Sequence, residues 1–395
     1  MIWGTEELMA GVDVLIVVED PGAANFIVEL PVALERAGIS CRVLAYGHAR
    51  KFLCDREVGF NEPSQGDGPG KIIDSFLPRL LLVGTSQNSD SPALMLVEEA
   101  RRRGISTAGF VDMAVDASLR FSGRSGNPLM YAPEHLIVPD KVTQEAFQNL
   151  GFPAERIVVC GHPAYDRVRK RAHELATQDI AALRARLLGL NPAPRPVWLF
   201  AAEHVDGCEY RRMHRGPGYT LNGRGSSDRR TNIVLEEVLD VAALMSPRPF
   251  VILRLHPKNT REEFSAYLSE VDFLSIGGDP MDLVWVSDLV IGLSSMLIME
   301  AVHMGRPTLS VVPREEEKFW APSVVQGLTP GVSTRAALRE RIMKPGLSAE
   351  YGIPGNTVMD AVQSLSDAIE ALLLRPRVSS EPSPLKIQIG RASCP

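Results

Sequence analysis

The chain has 395 residues, 45% of them hydrophobic and 23% charged, with a formal net charge of −6. That length exceeds what one hydrophobic core usually organises, so two domains are expected, and the acidic balance argues against general nucleic-acid binding. Five cysteines (Cys41, Cys54, Cys160, Cys208, Cys394) contain no Cys-x-x-Cys pair, and they read as reduced thiols rather than a disulfide frame or zinc site.

In chain order, the first residues lack a basic stretch with a long apolar core, so no signal peptide is expected. No apolar run reaches the roughly 18 residues of a membrane span. A cytoplasmic protein is expected, one that meets a membrane only if its substrate is lipid-linked. Val12–Val18 reads as a buried strand, 24–37 as a helix closed by Gly38, and Cys41–Ala45 as a second strand. Leu80–Gly84, Thr107–Val111 and Leu136–Val138 continue the series. A charged helix over 166–189 and a proline-rich linker at Asn191–Pro196 separate the halves. Val197–Phe200 opens a second alternating set, which Phe250–Leu253, Leu289–Ile291 and Thr308–Val312 continue. Residues 204–231 lack apolar periodicity and read as a long loop. A helix over 356–374 closes the second domain or crosses back to the first, and the Ser- and Pro-rich tail reads as disordered.

Strands alternating with helices imply parallel sheets covered on both faces, an α/β architecture. The division expected is 1–170, a linker over 171–196, 197–374, and a tail over 375–395. Ligands on such sheets sit beyond the carboxyl ends of the strands. That points to the loops after Val18, Gly84, Val111, Phe200, Leu255 and Ile291.

Two segments carry the strongest chemistry. Arg254-Leu255-His256-Pro257 follows one strand. Gly292-Leu293-Ser294-Ser295 follows another and leads into a helix that carries Glu300. Free amides and serine hydroxyls at a helix start suit phosphate, and Glu300, about one and a half turns on, can reach a sugar hydroxyl. A nucleoside diphosphate fits this pattern.

These HP and SS motifs resemble the nucleotide-binding half of GT-B glycosyltransferases, in particular bacterial capsule, sialyl- and polyol-phosphate transferases. The same half resembles UDP-N-acetylglucosamine 2-epimerases. Leu136–Gly151 with Arg156–Asp166 is similar to the epimerase stretch ending in GNP-x-x-D, and Leu30–Leu34 to the first helix of those proteins. The resemblance implies two Rossmann-like domains facing across a cleft, with the donor on the C-terminal one. It places donor contacts at Arg254, His256, Ser294, Ser295 and Glu300.

Candidate acid–base groups lie at three strand ends. Asp20 follows the first strand, and Gly22 behind it lets a ligand approach the backbone; the alternative is a plain turn with Asp20 capping a helix. Asp112 lies where the epimerases carry an acidic catalytic residue; the alternative is an ion pair with Arg120. His204, between Glu203 and Asp206, can be tuned near neutrality; an ordinary polar loop is the alternative. Arginines of 204–231 can close over a diphosphate or belong to a solvated insertion. Arg314-Glu315-Glu316-Glu317 lies where related enzymes touch the donor; a solvated charge run is the alternative.

The reading is a glycosyltransferase that uses a nucleotide-sugar donor with no metal and no cofactor. The acceptor is a glycan, a lipid-linked intermediate or a small metabolite, and a homodimer is compatible. A polyol-phosphate transferase is a close variant. A 2-epimerase is second, because Gly84-Thr85-Ser86 replaces the acid expected after one strand and Ala202-Glu203-His204-Val205-Asp206 replaces His-Arg-Arg-Glu-Asn. A nucleotide-sugar-binding protein without catalysis is third.

Overall fold

The computed structural model describes residues 11–64, 66–86, 88–189, 195–204, 213–343 and 360–375. Residues 190–194 of the expected linker, 205–212 of the expected loop, 356–359 of the expected last helix, and the tail beyond Arg375 lie outside the described residues, as do Cys208 and Cys394. Among the described residues no helix is long and apolar enough to cross a membrane.

Two six-stranded parallel sheets form the framework. The first contains β1 (Val14–Val18), β2 (Cys41–Ala45), β3 (Leu80–Gly84), β4 (Ser106–Phe110), β5 (His135–Val138) and β6 (Ile157–Val159), in the order β2-β1-β3-β4-β5-β6. The second contains β7 (Val197–Ala201), β8 (Phe250–Arg254), β9 (Phe273–Ser275), β10 (Leu289–Gly292), β11 (Thr308–Val311) and β12 (Gly331–Val332), in the order β12-β11-β10-β7-β8-β9. Every residue of β1, β3, β7 and β8 is buried, as expected of strands covered on both faces. The strands called from apolar runs are present within a residue or two. The short β9 and β12 carry too little apolar sequence to announce themselves.

Two expected helices are each broken. The helix expected over 24–37 is two, Pro21–Phe26 and Leu30–Arg36. Pro31 has no N–H to continue the first, so it starts the second. The charged helix expected over 166–189 is Pro163–Ala176 followed by Ile180–Leu188. Asp179 ends the run by accepting from the N–H groups of Ala181 and Ala182 as an N-cap.

Two helices cross between the halves. Val168 and Leu175 of the helix after β6 join the core beneath β7 and β8. The last helix, Ala361–Leu374, returns and buries Leu365, Ile369 and Leu372 with Leu30, Leu34 and β1. The division at 374 grouped this helix with the second half, while its apolar face lies on the first.

A file of buried rings runs across the junction. Phe110 stacks on Phe26, Phe26 meets His162 edge-on, His162 stacks on Tyr165, and Tyr165 stacks on His303 with centroids 4.0 Å apart. Burial disfavours the imidazolium, pulling His162 to about 3 and His303 to about 4. Both rings fold neutral, so the unfolded chain binds more protons between these values and 6.5. Their stabilisation is full above pH 6.5 and declines as pH falls. At pH 5 each should cost on the order of 1–2 kcal/mol. The urea midpoint should therefore fall markedly between pH 7.5 and pH 5, and less so in His303→Asn. An unchanged midpoint would contradict neutral burial.

Candidate active site

Each sheet has one point where strand order reverses, and both points look onto the junction between the halves. In the second sheet it lies between β7 and β10. The ends of those strands bring Glu203 against Ser294. Ser294 donates to Glu203 Oε1 from its N–H (2.5 Å) and its hydroxyl (3.0 Å). The phosphate position expected at this helix start thus holds a carboxylate of the chain itself. Ser295 is the N-cap of helix Met296–His303 and accepts from the Leu297 N–H.

Behind Glu203 lies Arg230, the largest fully buried side chain among the described residues. It donates to Glu203 Oε2, to Glu317 Oε2 and, at 3.4 Å, to Ser294 Oγ. Glu317 also accepts from Arg314 at 2.6 Å. Burial alone would lower the Arg230 pKa, but Glu203 and Glu317 more than offset it and the net shift is upward. The Arg314–Glu317 run is therefore partly a buried ion cluster rather than a wholly solvated charge run. The arginines described in the preceding loop are also committed. Arg224 pairs with Glu270 and Asp240, Arg229 pairs with Glu263, and Arg215 donates to Asn222 and Ser227. Arg211 and Arg212 lie outside the described residues.

In the first sheet the reversal lies between β1 and β3. Asp20, after β1, accepts from the Ser86 hydroxyl at 2.7 Å, and Ser86 follows β3. Its other oxygen accepts from Lys258 Nζ of the second half at 2.8 Å. Asp20 occupies the N-cap position but makes no side-chain cap bond. Burial raises its pKa, yet Lys258 and Ser86 outweigh burial and hold the carboxyl below its usual range. Lys258 sits two residues beyond His256. His256 Nδ1 accepts from the Lys258 N–H at 3.1 Å, which assigns the ring proton to Nε2 in the neutral form. Burial, with His204 and Lys258 nearby, pulls His256 to about 3. His204 stacks over it with centroids 6.0 Å apart.

Asp112 flanks the same first-half helix start. A Cβ at Gly22 would collide with Asp112 Oδ2, so the glycine admits this carboxylate. Arg120 stands 3.6 Å from Asp112 Oδ1, and the two side chains are only 7% and 10% exposed, so the pair is not a surface one. Asp112 also lines a cavity of about 260 Å³ between the halves, with Tyr165, Met296 and Trp320 among its walls. Gly84 serves the same junction: a Cβ there would lie 2.6 Å from Ala23 and 2.7 Å from Phe110.

Glu300 is buried and accepts from Asn25 Nδ2 at 3.0 Å, and Asn25 accepts in turn from Arg167 at 2.8 Å. Burial raises the Glu300 pKa against the opposing pull of Arg167. Arg254 points elsewhere: its guanidinium holds Ser275 Oγ and the carbonyls of Gly277 and Gly278 after β9. The structure thus gathers Asp20, His204, His256, Asp112, Ser294 and Glu300 at the junction and spends Arg254 on a loop. Sequence reasoning passed over Lys258, gave Ser86 and Asn25 no role of their own, and counted Arg230 only among the arginines of 204–231. Lys258 was findable, since it immediately follows the HP pair. Among the described residues no group of three or more His, Cys, Asp or Glu side chains is placed to hold a metal ion.

No protein-family model matches the sequence, and no curated protein matches it. Solved structures do. The UDP-GlcNAc 2-epimerase of Neisseria meningitidis bound to UDP-GlcNAc superposes with a TM-score of 0.65 at 15% identity, covering 91% of this chain and 99% of that one. A UDP-N-acetylglucosamine 2-epimerase homologue of Listeria monocytogenes gives 0.63 at 15% identity, covering 93% and 99%. A variant of the wall teichoic acid polymerase TagF gives 0.53 at 12% identity, covering 91% and 88%. The fold is GT-B. In it, two Rossmann-like sheets present their reversal points to a shared cleft.

Arg230 is the residue this cleft wall can least lose. Arg230→Met removes the cation and leaves Glu203 and Glu317 buried without their shared partner. Breaking a buried pair typically costs about 3–5 kcal/mol, and urea unfolding should show a loss of that order. A loss below about 1 kcal/mol would show that Glu203 and Glu317 do not depend on it.

Proposed function

We propose that the protein is a metal-independent glycosyltransferase that moves a sugar from a nucleotide-activated donor to an acceptor across this cleft. The donor would lie on the half built around the second sheet and the acceptor on the half built around the first. The observation that carries the reading is the opposition of the two reversal points, joined by the Lys258–Asp20 ion pair beside a serine-bearing helix start.

In this reading a donor phosphate oxygen replaces Glu203 Oε1 on the N–H and hydroxyl of Ser294, with Arg230 behind them. The neutral His256 ring offers Nε2–H to a second phosphate oxygen, and Lys258 supplies fixed positive charge where the leaving diphosphate develops its own. Glu300 reaches the ribose. His204 and Asp20 compete for the acid–base role on the acceptor side. Asp20 is held ionised by Lys258, which weakens it as a base. The geometry therefore favours His204 first and Asp20 second.

An epimerase is the second reading, supported by superposition over nearly the whole length of the epimerases named above. Against it, Ser86 stands after β3 where that family carries an acid, and it donates to Asp20. Incubation with UDP-, CDP- and GDP-sugars separates the readings. A transferase consumes donor only when acceptor is present, whereas an epimerase forms a new sugar nucleotide without one. Conversion in acceptor-free buffer would overturn the transferase reading.

Two variants test the roles. Glu203→Gln keeps the shape but removes the resident charge, so nucleoside diphosphate binding should tighten; weaker binding would mean that no phosphate displaces Glu203. His204→Asn should lower kcat by about 10²–10⁴ with donor affinity kept. Retained kcat, with loss in Asp20→Asn instead, would pass the role to Asp20. EDTA should leave the rate unchanged.

A further inference from the structure

The cations described so far around the cleft are committed. Arg230 holds Glu203 and Glu317, Lys258 holds Asp20, and Arg254 holds the carbonyls after β9. Arg56 differs from them. Its part-buried guanidinium lies over the Phe52 ring, 3.7 Å from the centroid. Among the described residues no carboxylate pairs with it and no acceptor takes a hydrogen bond from its side chain. Of its three nitrogens only Nε is sealed from solvent, so the two terminal nitrogens stand open.

A tight helix end fixes where Arg56 stands. Helix Ala49–Cys54 follows β2 and packs on helix Pro21–Phe26. The N–H groups of Arg56 and Val58 both donate to the Leu53 carbonyl, at 3.1 and 3.0 Å. Glu57 between them has φ of 58°, a left-handed conformation that favours glycine. Helix Pro21–Phe26 also carries Asn25, which bonds Glu300 of the second half. Arg56 therefore stands at the Glu300 corner of the cleft, and the charges it meets agree with that place. Burial lowers its pKa, as does the neighbouring Arg167, while Asp279 and Glu300 of the second half pull the other way.

This corner offers donors on one side and acceptors on the other. Arg167 is spent on Asn25 and its remaining nitrogens are sealed, so the open donors are those of Arg56. Glu300 gives Oε1 to Asn25, and its Oε2 is neither bonded nor sealed. Asp279 and Glu300 would repel a second anion here, whereas a neutral body rich in hydroxyl and carbonyl groups can use both sides. Glu300 also lies on the second turn of the helix that Ser295 caps, about 7 Å along the axis from that cap. That span is comparable with the distance from a nucleotide's diphosphate to its ribose.

We infer that Arg56 is the first half's contact to the donor nucleoside, closing the cleft over it from the side opposite Glu300. Its terminal nitrogens donate to nucleoside oxygens while Glu300 Oε2 accepts from a ribose hydroxyl, and the Phe52 ring holds the guanidinium in place. The inference rests on the proposed seat of the donor diphosphate at Ser294.

Calorimetric titration of UDP, CDP and GDP into the whole protein, Arg56→Met and Arg56→Lys tests it, each at a temperature well below its unligated Tm. The nucleotide that binds the parent tightest should lose about ten- to a hundredfold in affinity on Arg56→Met, as expected for bonds from a charged donor. Inorganic pyrophosphate, which has no nucleoside, should behave alike in the parent and Arg56→Met. Arg56→Lys keeps the charge but not the forked donor, so it should recover only part of the loss. Unchanged nucleotide affinity in Arg56→Met, an equal loss for pyrophosphate, full recovery with lysine, or no nucleotide binding by the parent would each overturn the inference. Conversion of a sugar nucleotide in acceptor-free buffer defeats the transferase reading and leaves Arg56 its role. Unchanged nucleotide affinity in Arg56→Met does the reverse.

Discussion

The buried guanidinium of Arg230 is the interaction on which the second half of the site depends. It starts the helix after the arginine-rich loop, and it gathers Glu203 from the end of β7, Ser294 from the end of β10 and Glu317 from beyond β11. An unpaired charge at that depth would cost several kcal/mol, so the three loops are held in register by electrostatic necessity. The same cluster explains why a helix start suited to phosphate already holds a carboxylate. The resident anion keeps Arg230 and the Ser294 amide satisfied, and in the proposed function a donor phosphate takes over that position.

The first half faces this cluster with a different construction. Ser86 and Asp20 meet where β1 and β3 diverge, and Lys258 reaches over from the loop after β8. The two halves are therefore linked at the candidate site as well as at the back, where the crossing helices and the file of rings from Phe110 to His303 join the cores. Opening the cleft has to break the Lys258–Asp20 and Asn25–Glu300 contacts. Each is a single part-buried polar contact, whereas the ring file is a run of stacked and edge-on contacts.

The framework was legible because strands buried on both faces leave runs such as Val14–Val18 and Phe250–Leu253 that nothing else explains. Helix interruptions at Pro31 and Asp179 were missed because apolar periodicity continued across them, although each residue is a known stop or cap. The phosphate-like helix start was legible from Gly292 to Ser295, but its occupant was not, since Glu203 arrives from a strand 91 residues away in sequence. The partners of Arg254 were hidden for the same reason: its position beside the HP pair suggested a ligand, and the groups it holds in the structure lie in and after β9. Long-range polar pairing decides what a strand-end side chain does, and a single sequence carries little trace of it.

The central claim is that the Ser294 end of the cleft receives a nucleoside diphosphate. A thermal-shift panel of CMP, CDP, UDP, GDP and dTDP on the unaltered protein tests it most directly. A ligand at a hundred times its Kd should add about 2.7 kcal/mol of apparent stability. At least one nucleoside diphosphate should raise Tm accordingly, and Ser294→Ala should reduce that rise. No shift with any of the five, at millimolar concentrations, would contradict the claim.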